Sequence, residues 1–311
     1  MRRAPVSLAA LAVLALLAAA PAAAQRDWSR TVIQPQPLAE NLWMLSGLGG
    51  NLLLCAGPDG ALLVDAQYAP LAGKIRAAVD SLGRGAPLRF VVNTHYHGDH
   101  VGGDSAMAAA GAAIVAHENV RARMMVPRYN ATFGDTTKAT PRQGWPVLTF
   151  VDSVTFHLNG RALHVVHLPP GHTDGDAYVW VPDADVLHAG DLLFNGTYPV
   201  IDVAAGGSVG GMIRSVDALL AIAGPGTRVV GGHGPLGDRA ALQRFRDMLA
   251  TVRDRVTPLV REGKTLEEIV AAKPLADLDE TWGKGFMRTE RFLGAVVSDL
   301  ARTHAPGGTA R

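Results

Sequence analysis

Apolar residues along the chain fall into two patterns, short runs bounded by turn residues and longer stretches with helical spacing. The short runs predict β-strands, at residues 42–47, 50–55, 61–64, 88–92, 113–116, 152–157, 161–167, 177–181, 186–189 and 227–230. The longer stretches predict helices, at residues 71–82, 105–111, 120–125, 210–222, 239–261, 265–272 and 275–303. Strands and helices are mixed along the chain, and the last part, from about 239 to 303, is predicted to be helical.

The first 24 residues have the order of a secretory signal peptide. Arg2 and Arg3 precede an apolar run over about 8–20, and the small residues up to Ala24 follow. We therefore expect cleavage after Ala24, a periplasmic or secreted protein, and a single domain over 25–311. The apolar run is short and rich in alanine, so no stable membrane anchor is expected.

Charge and cysteine content restrict the partners. The chain has 29 basic and 28 acidic residues, and loss of the two arginines before Ala24 leaves 27 basic residues. This near-neutral balance predicts a small-molecule substrate rather than nucleic acid, because nucleic-acid binding requires a basic surface. The one cysteine, Cys55, has no partner for an internal disulfide and is expected to be buried in a strand. The oligomeric state does not follow from the sequence.

Four metal-ligand side chains follow the predicted strand at 88–92. The sequence His-x-His-x-Asp-His places His95, His97, Asp99 and His100 within six residues. In extended chain His95 and His97 project to the same side, so both can bind one ion. Asp99 and His100 come where the chain should turn toward the next helix and can face a second ion. Imidazole and carboxylate ligands without a thiolate favour zinc first, and iron or manganese next.

This motif resembles the signature of the metallo-β-lactamase superfamily, and later motifs extend the resemblance over roughly residues 40–235. Gly-His-Thr at His172 is similar to the third motif of the superfamily, and His233 to its last ligand motif. His172 is preferred over His164 and His167 because it lies in a loop after a strand, where an open metal site can be built. The resemblance implies an α+β fold, a four-layer αββα sandwich of two mixed sheets with helices outside.

The resemblance also implies a dinuclear centre. One ion would take His95, His97 and His172, the second would take Asp99, His100 and His233, and Asp191 would bridge them. Two Zn²⁺ ions would share a hydroxide that attacks a carbonyl carbon. Asp99 would orient the hydroxide and carry its proton to the leaving group, which makes it the expected catalytic residue. An aspartate at 191 resembles the site of the glyoxalase II and lactonase members.

Three further residues are candidates for supporting roles. Asp65 either caps the turn before Pro70 or holds a ligand histidine in place. Asn195 and Tyr198 are either ordinary turn residues or groups that polarise a substrate carbonyl. The turn-rich stretch 127–147 is expected to form a wall of the substrate pocket.

The leading hypothesis is an exported dinuclear zinc hydrolase that cleaves a carbonyl-centred bond. A β-lactam or other cyclic amide ranks first as substrate, ahead of a lactone, an ester or a thioester. One alternative is a metal-dependent phosphodiesterase, which paired metals also support. Another is a catalytically silent periplasmic metal-binding accessory protein that keeps the fold.

Overall fold

The computed structural model describes residues 27–130 and 134–304. The predicted signal peptide at residues 1–24 lies outside the described residues. Residues 27–30 contain one turn of 3-10 helix, Trp28–Arg30. The sheets and helices described below belong to the unit that begins at Thr31. No helix within the described ranges is long and apolar enough to cross a membrane.

Strands and helices follow one another largely as the hydrophobic pattern predicts. The described strands are β1 (Gln34–Ala39), β2 (Leu42–Ser46), β3 (Leu52–Gly57), β4 (Gly60–Val64), β5 (Leu88–Val92), β6 (Ala113–His117), β7 (Arg128–Asn130), β8 (Asp135–Thr137), β9 (Leu148–Phe150), β10 (Ser153–Leu158), β11 (Arg161–His167), β12 (Ala177–Val181), β13 (Val186–Phe194), β14 (Arg228–His233) and β15 (Gly237–Asp238). The described helices are α1 (Ala72–Leu82), α2 (Gly98–Val101), α3 (Asp104–Ala109), α4 (Glu118–Met124), α5 (Val209–Ile222), α6 (Arg239–Arg261), α7 (Leu266–Ala272), α8 (Asp279–Trp282) and α9 (Thr289–His304).

Two mixed sheets form the centre of the unit. The first has the strand order β1-β2-β3-β4-β5-β6-β9, antiparallel from β1 to β4 and parallel from β4 to β9. The second has the order β10-β11-β12-β13-β14-β15, in which β13 and β14 form a parallel pair. Strands β7 and β8 form a small separate hairpin.

The two large sheets pack face to face through an apolar layer. Leu53 and Val64 of the first sheet lie in one buried cluster with Leu163, Val179 and Val230 of the second. Cys55 belongs to the same cluster and is fully buried, as expected. Burial raises the pKa of its thiol, so the side chain acts here as a small apolar residue.

Helices cover the outer face of each sheet. On the first sheet, α1 and α3 pack against β3, β5 and β6. On the second, α5, α6 and α9 contribute Val216, Phe245 and Phe292 to a second buried cluster. The layer order is helix, sheet, sheet, helix, which is the αββα sandwich predicted. Strands such as β3 and β4, covered on both faces, are accordingly apolar throughout.

Several parts of the chain differ from the predicted elements. Residues 34–39, for which no element is predicted, form β1, which tolerates its two prolines because it is an edge strand. The helix predicted at 105–111 begins at Asp104, and the extra turn α2 carries Asp99 and His100. The helical segment predicted at 275–303 is interrupted between α8 and α9. Phe286 lies in this interruption.

Strand β13 continues beyond its predicted end and carries Asp191 inside it. Gly190 has a φ of +53°, and the pairing of β13 with β14 changes register at this point. An irregularity of this kind redirects the following side chain. A residue with a Cβ would be strained at such a φ. We infer that Gly190 turns Asp191 toward the metal-ligand side chains.

Candidate metal centre

All seven side chains predicted as metal ligands lie together at one end of the two sheets. They form two groups, in each of which one ligand atom per residue lies within 4.8 Å of the others. The first group contains His95, His97, His172 and Asp191, and the second contains Asp99, His100 and His233. The six other residues divide between the groups as predicted for the two ions, and Asp191, predicted as the bridge, falls in the first group by this measure.

The carboxylate of Asp191 connects the two groups. Its Oδ2 lies 3.6 Å from His95 Nε2 and 3.4 Å from His172 Nε2. Its Oδ1 lies 3.1 Å from His100 Nε2 and 3.5 Å from His233 Nε2. One oxygen therefore faces each group, which is the arrangement that a bridging carboxylate needs.

The remaining two ligands complete the groups. His97 Nδ1 lies 2.8 Å from His172 Nε2. Asp99 Oδ2 lies 3.3 Å from His233 Nε2 and 3.9 Å from His100 Nε2. Nitrogen and oxygen atoms thus converge without an apolar side chain between them.

Backbone packing makes room for Asp191. A Cβ at Gly232 would lie 1.9 Å from Asp191 Oδ1. The neighbouring strand can therefore approach the carboxylate only because residue 232 is a glycine. The loop that follows is held by Asn51, whose Nδ2 donates to the carbonyl oxygens of Gly231 and Gly234 at 2.9 Å each. His233 is placed between these two contacts.

Three of the histidines are oriented by hydrogen bonds from the ring nitrogen that faces away from the centre. His172 Nδ1 donates to the carbonyl oxygen of Val200 at 2.8 Å. His95 Nδ1 lies 3.1 Å from the hydroxyl of Thr94, and His100 Nδ1 lies 2.7 Å from Asp65 Oδ2. Donation from Nδ1 leaves the lone pair on Nε2, the atom that points to Asp191.

Asp65 has the contacts that a supporting role requires. Its side chain is fully buried, Oδ2 accepts from His100 Nδ1, and Oδ1 accepts from the Thr94 backbone N–H at 2.8 Å. The Thr94 hydroxyl also donates to Oδ2 at 2.8 Å. Asp65 therefore holds a ligand from each group, His100 directly and His95 through Thr94, and these contacts favour support over turn capping.

Replacing Asp65 with alanine is expected to lower the free energy of unfolding by about 3 kcal/mol, because the change leaves His100 and Thr94 buried without their acceptor. Urea denaturation of the metal-free protein would measure this change. Asp65→Asn is the matched variant, since its amide oxygen can still accept from Thr94, and we expect a smaller loss. Equal stability of wild type and Asp65→Ala would refute the supporting role.

Burial and charge set the protonation of the ligands. Burial lowers the pKa of His95, and it lowers that of His172 to about 4, so both are neutral at pH 7. Burial alone would raise the pKa of Asp191, but the nearby histidines, His100 first among them, hold it well below its usual value. His95 and His172 therefore offer neutral imidazoles and Asp191 an ionised carboxylate. Burial would lower the pKa of His100 and His233, but the nearby carboxylates, Asp191 first, raise it, to about 9 for His233. These two ligands would release a proton when a cation binds.

Three buried polar atoms in the centre form no hydrogen bond within the described ranges, although two of them, His100 Nε2 and Asp191 Oδ1, lie 3.1 Å apart. The three atoms are His95 Nε2, His100 Nε2 and Asp191 Oδ1. Unpaired buried polar atoms are costly and rare in folded proteins. All three point into the space between the ligands, and their imidazole and carboxylate chemistry suits a divalent metal. The residues present therefore fit a metal centre.

Sequence comparison identifies the family. A family model described as the metallo-beta-lactamase superfamily matches residues 45–233. The chain belongs to the metallo-β-lactamase superfamily. Membership, together with the histidine and aspartate cluster, supports the use of metal. It also confirms the fold class and the family resemblance seen in the motifs.

The curated relatives of this chain include hydroxyacylglutathione hydrolases and metallo-beta-lactamases. A hydroxyacylglutathione hydrolase of Methylococcus capsulatus is 32% identical over 125 residues, which is 40% of this chain and 40% of that protein. A hydroxyacylglutathione hydrolase of Halorhodospira halophila is 28% identical over 78% of this chain and 84% of its own. A metallo-beta-lactamase type 2 of Bacillus cereus is 23% identical over 68% of this chain and 80% of its own.

Solved structures show the same fold. A metallo-beta-lactamase of Cronobacter sakazakii superposes with a TM-score of 0.59 and 23% identity, covering 74% of this chain and 96% of that one. A metallo-beta-lactamase from Pontibacter korlensis gives a TM-score of 0.57 and 21% identity, covering 70% and 99%. At these identities the likeness concerns the superfamily fold alone.

Tyr198 does not have the position that a substrate-polarising role needs. Its side chain is completely buried, stacks on Phe292 and donates from its hydroxyl to Asp279 at 3.0 Å. These contacts disfavour the substrate-polarising role, because the apolar stretch after β13 turns Tyr198 into the core. Asn195 is half-buried and donates to the carbonyl oxygen of Pro235 at 3.0 Å, which fits its reading as a turn residue.

The other histidines considered in the sequence lie outside both groups. His117 caps α4 by accepting from the Asn119 backbone N–H, and its ring stacks on that of His167. His164 lies beside Thr155 on paired strands. His188 is fully buried and lies 3.0 Å from the carbonyl oxygen of Asn51.

Asp202 is a site residue that sequence reasoning missed. Its Oδ2 lies 3.0 Å from His97 Nε2 and accepts a short hydrogen bond from the hydroxyl of Tyr96. Asp202 thereby holds His97 with Nδ1 toward the centre. The only signal in the sequence is an acid between Ile201 and Val203, and nothing in that pattern indicates its distant partner.

Proposed function

We propose that this protein is an exported dinuclear zinc hydrolase that cleaves a carbonyl-centred bond in a small molecule. The observation that carries the proposal is the position of Asp191, with one carboxylate oxygen facing each ligand group. Two divalent cations held there would lower the pKa of water from about 16 toward about 7 and stabilise negative charge on a carbonyl oxygen. Iron or manganese could bind the same ligands.

The solvent exposure of the side chains separates residues that would bind only the ions from residues that a substrate can also contact. His95, His100, His172 and Asp191 have side chains at most 4% exposed, so their role is to hold the ions. His97 and His233 are 15% exposed and Asp99 is 22% exposed. These three therefore form the side of the centre that a substrate can reach.

Asp99 is the group best placed to move a proton. Burial would raise its pKa, but His100 and His233 lower it well below the usual value, so the side chain is ionised at neutral pH. An ionised carboxylate on the open side can accept a hydrogen bond from the attacking water and orient it. The same oxygen can then pass the proton to the leaving group.

An exposed aromatic side chain borders the centre beside His233. The ring of Phe286 is 49% exposed, and its centroid lies 5.4 Å from that of His233 and 6.2 Å from that of Phe194. The glycine-containing interruption between α8 and α9 presents it there. Such a ring can pack against an apolar part of the substrate.

Phe286→Ala is expected to raise KM roughly fivefold for substrates with an apolar acyl group and to leave kcat nearly unchanged, because it removes apolar contact area and no reacting group. Phe286→Leu, which keeps most of that area, serves as the matched variant. Steady-state kinetics on acetyl and hexanoyl esters would measure both changes. A fall in kcat without a change in KM would disagree with this assignment.

Among carbonyl substrates, we rank a β-lactam or other cyclic amide first, then a lactone, an ester and a thioester. The names of the relatives support both the first and the last substrate in this order. A metallo-beta-lactamase supports a β-lactam, and hydroxyacylglutathione hydrolases support a thioester. The order of basic, apolar and small residues in 1–24 supports export. N-terminal sequencing of the exported protein should find Gln25 as its first residue if this part of the proposal is correct.

A substrate panel on the zinc-loaded protein tests the function. It contains nitrocefin, a γ-lactone, a p-nitrophenyl ester, an acyl thioester and bis(p-nitrophenyl) phosphate, with His172→Ala as the inactive control. Turnover of a carbonyl substrate that His172→Ala abolishes would support the proposal. Turnover of the phosphodiester alone would favour the phosphodiesterase alternative, and tight metal binding without any turnover would favour an accessory protein.

A further inference from the structure

A cavity of about 320 Å³ lies beside the open side of the metal centre. Its lining includes Tyr96, His97, Arg123, Arg128, Tyr129 and Asp202. His97 is a predicted ligand, so the cavity adjoins the first ligand group directly. Arg128 and Tyr129 come from β7, within the stretch 127–147 that was expected to wall the substrate pocket.

The two arginines of this cavity have different surroundings. Arg123 forms a two-point ion pair with Asp174, at 2.5 Å from Nε to Oδ1 and 2.7 Å from Nη2 to Oδ2. Arg128 has no ion pair or hydrogen bond from its guanidinium to any described residue, and its Nε and Nη1 are shielded from solvent without an acceptor. Its guanidinium carbon lies 3.6 Å from the centre of the Tyr96 ring.

The two acids described near Arg128, Asp174 and Asp202, do not form an ion pair with it. Asp174 is taken by Arg123, and Asp202 Oδ2 is engaged by Tyr96 and His97. Arg128 remains charged at any pH of interest. A partly buried charge that is paired with no acid among the described side chains is unfavourable. Burial accordingly lowers the pKa of Arg128, and the charges of Asp202 and Asp174 offset this only in part. Tyr96 fixes the guanidinium in place but carries no charge that would balance it.

We propose that Arg128 binds a carboxylate of the substrate, so that the natural substrates are carbonyl compounds that carry a carboxylate group. The inference rests on the proposed hydrolase function and specifies its substrate class. A carboxylate suits this position because a guanidinium donates to it with two parallel N–H groups. The anionic end of the substrate would lie beside His97 of the first group, and an apolar part beside Phe286 and His233 of the second.

Binding of unreactive ligands tests the inference independently of turnover. The probes are the monoanilides of adipic and suberic acid and their methyl esters, titrated calorimetrically into zinc-loaded protein. We expect at least one free acid to bind wild type about tenfold more tightly than its methyl ester. Arg128→Gln should abolish this preference, and Arg128→Lys should retain part of it because the charge remains.

Arg142→Gln is the control, since Arg142 is exposed on the same stretch and does not line this cavity. It should keep the full preference for the acid. A preference that survives in Arg128→Gln would mean that the metals bind the carboxylate, and the inference would be overturned. Equal binding of acid and ester to wild type, or no binding of either, would overturn it as well. Failure of the hydrolase proposal would appear separately, as no turnover in the substrate panel.

Discussion

Replacing Asp191 with alanine is expected to reduce kcat/KM for the preferred substrate by about 1,000-fold or more. The carboxylate of Asp191 lies within 3.6 Å of ligand nitrogens in both groups. If the centre holds the two cations proposed, the loss of Asp191 would remove a ligand from each of them and the negative charge between them. Steady-state kinetics on zinc-loaded protein would measure the effect.

Two variants make this experiment specific. Asp191→Asn keeps the size of the side chain but loses its charge, so we expect an activity between those of wild type and Asp191→Ala. Asp254→Ala removes a surface acid whose side chain is 65% exposed and should leave kcat/KM unchanged. Activity of Asp191→Ala within tenfold of wild type would show that the bridging position is not needed.

Removing the metal is expected to abolish activity and to lower the melting temperature by roughly 5–10 °C. A ligand that binds only the folded protein stabilises it by about 2.7 kcal/mol at a hundredfold excess over Kd, and a domain of this size shifts by about 2–4 °C per kcal/mol. The physical source of the stabilisation is the set of buried atoms His95 Nε2, His100 Nε2 and Asp191 Oδ1, which lack other partners in the described chain.

Calorimetry and activity assays before and after chelation would measure both effects. Addition of Zn²⁺ should restore activity and melting temperature together, and Mg²⁺ should restore neither, because imidazole ligands do not suit it. Full activity in metal-free protein would end the metallohydrolase proposal. An unchanged melting temperature with lost activity would show that the ions do not stabilise the fold.

Local patterns predicted many of the strands and helices and the cluster of candidate ligands, and the resemblance to one superfamily supplied the αββα arrangement. The helix at Arg239–Arg261 and the strand at Leu88–Val92 have the predicted bounds, because each is a long or strongly apolar segment with clear limits. His95, His97, Asp99 and His100 are adjacent in sequence, and His172 and His233 lie in glycine-containing loops. These signals are local, and resemblance to one superfamily connects them.

Features that depend on tertiary packing were not predicted. Asp202 contacts His97, which lies 105 positions away in the sequence. Arg128 is distinguished only by guanidinium nitrogens, Nε and Nη1, that have no hydrogen-bond acceptor among the described residues. The local sequence around Tyr198 predicts a turn, but the side chain is buried because Phe292 of α9 packs against it. In each case the partner is distant along the chain, so no short pattern could identify it.

The most direct test of the paired centre is the metal content of the purified protein after saturation with zinc and removal of free metal. Inductively coupled plasma mass spectrometry should find about two zinc ions per chain in wild type and fewer in Asp191→Ala. One ion or none in wild type under these conditions would contradict the assignment of the seven side chains to two sites joined by Asp191.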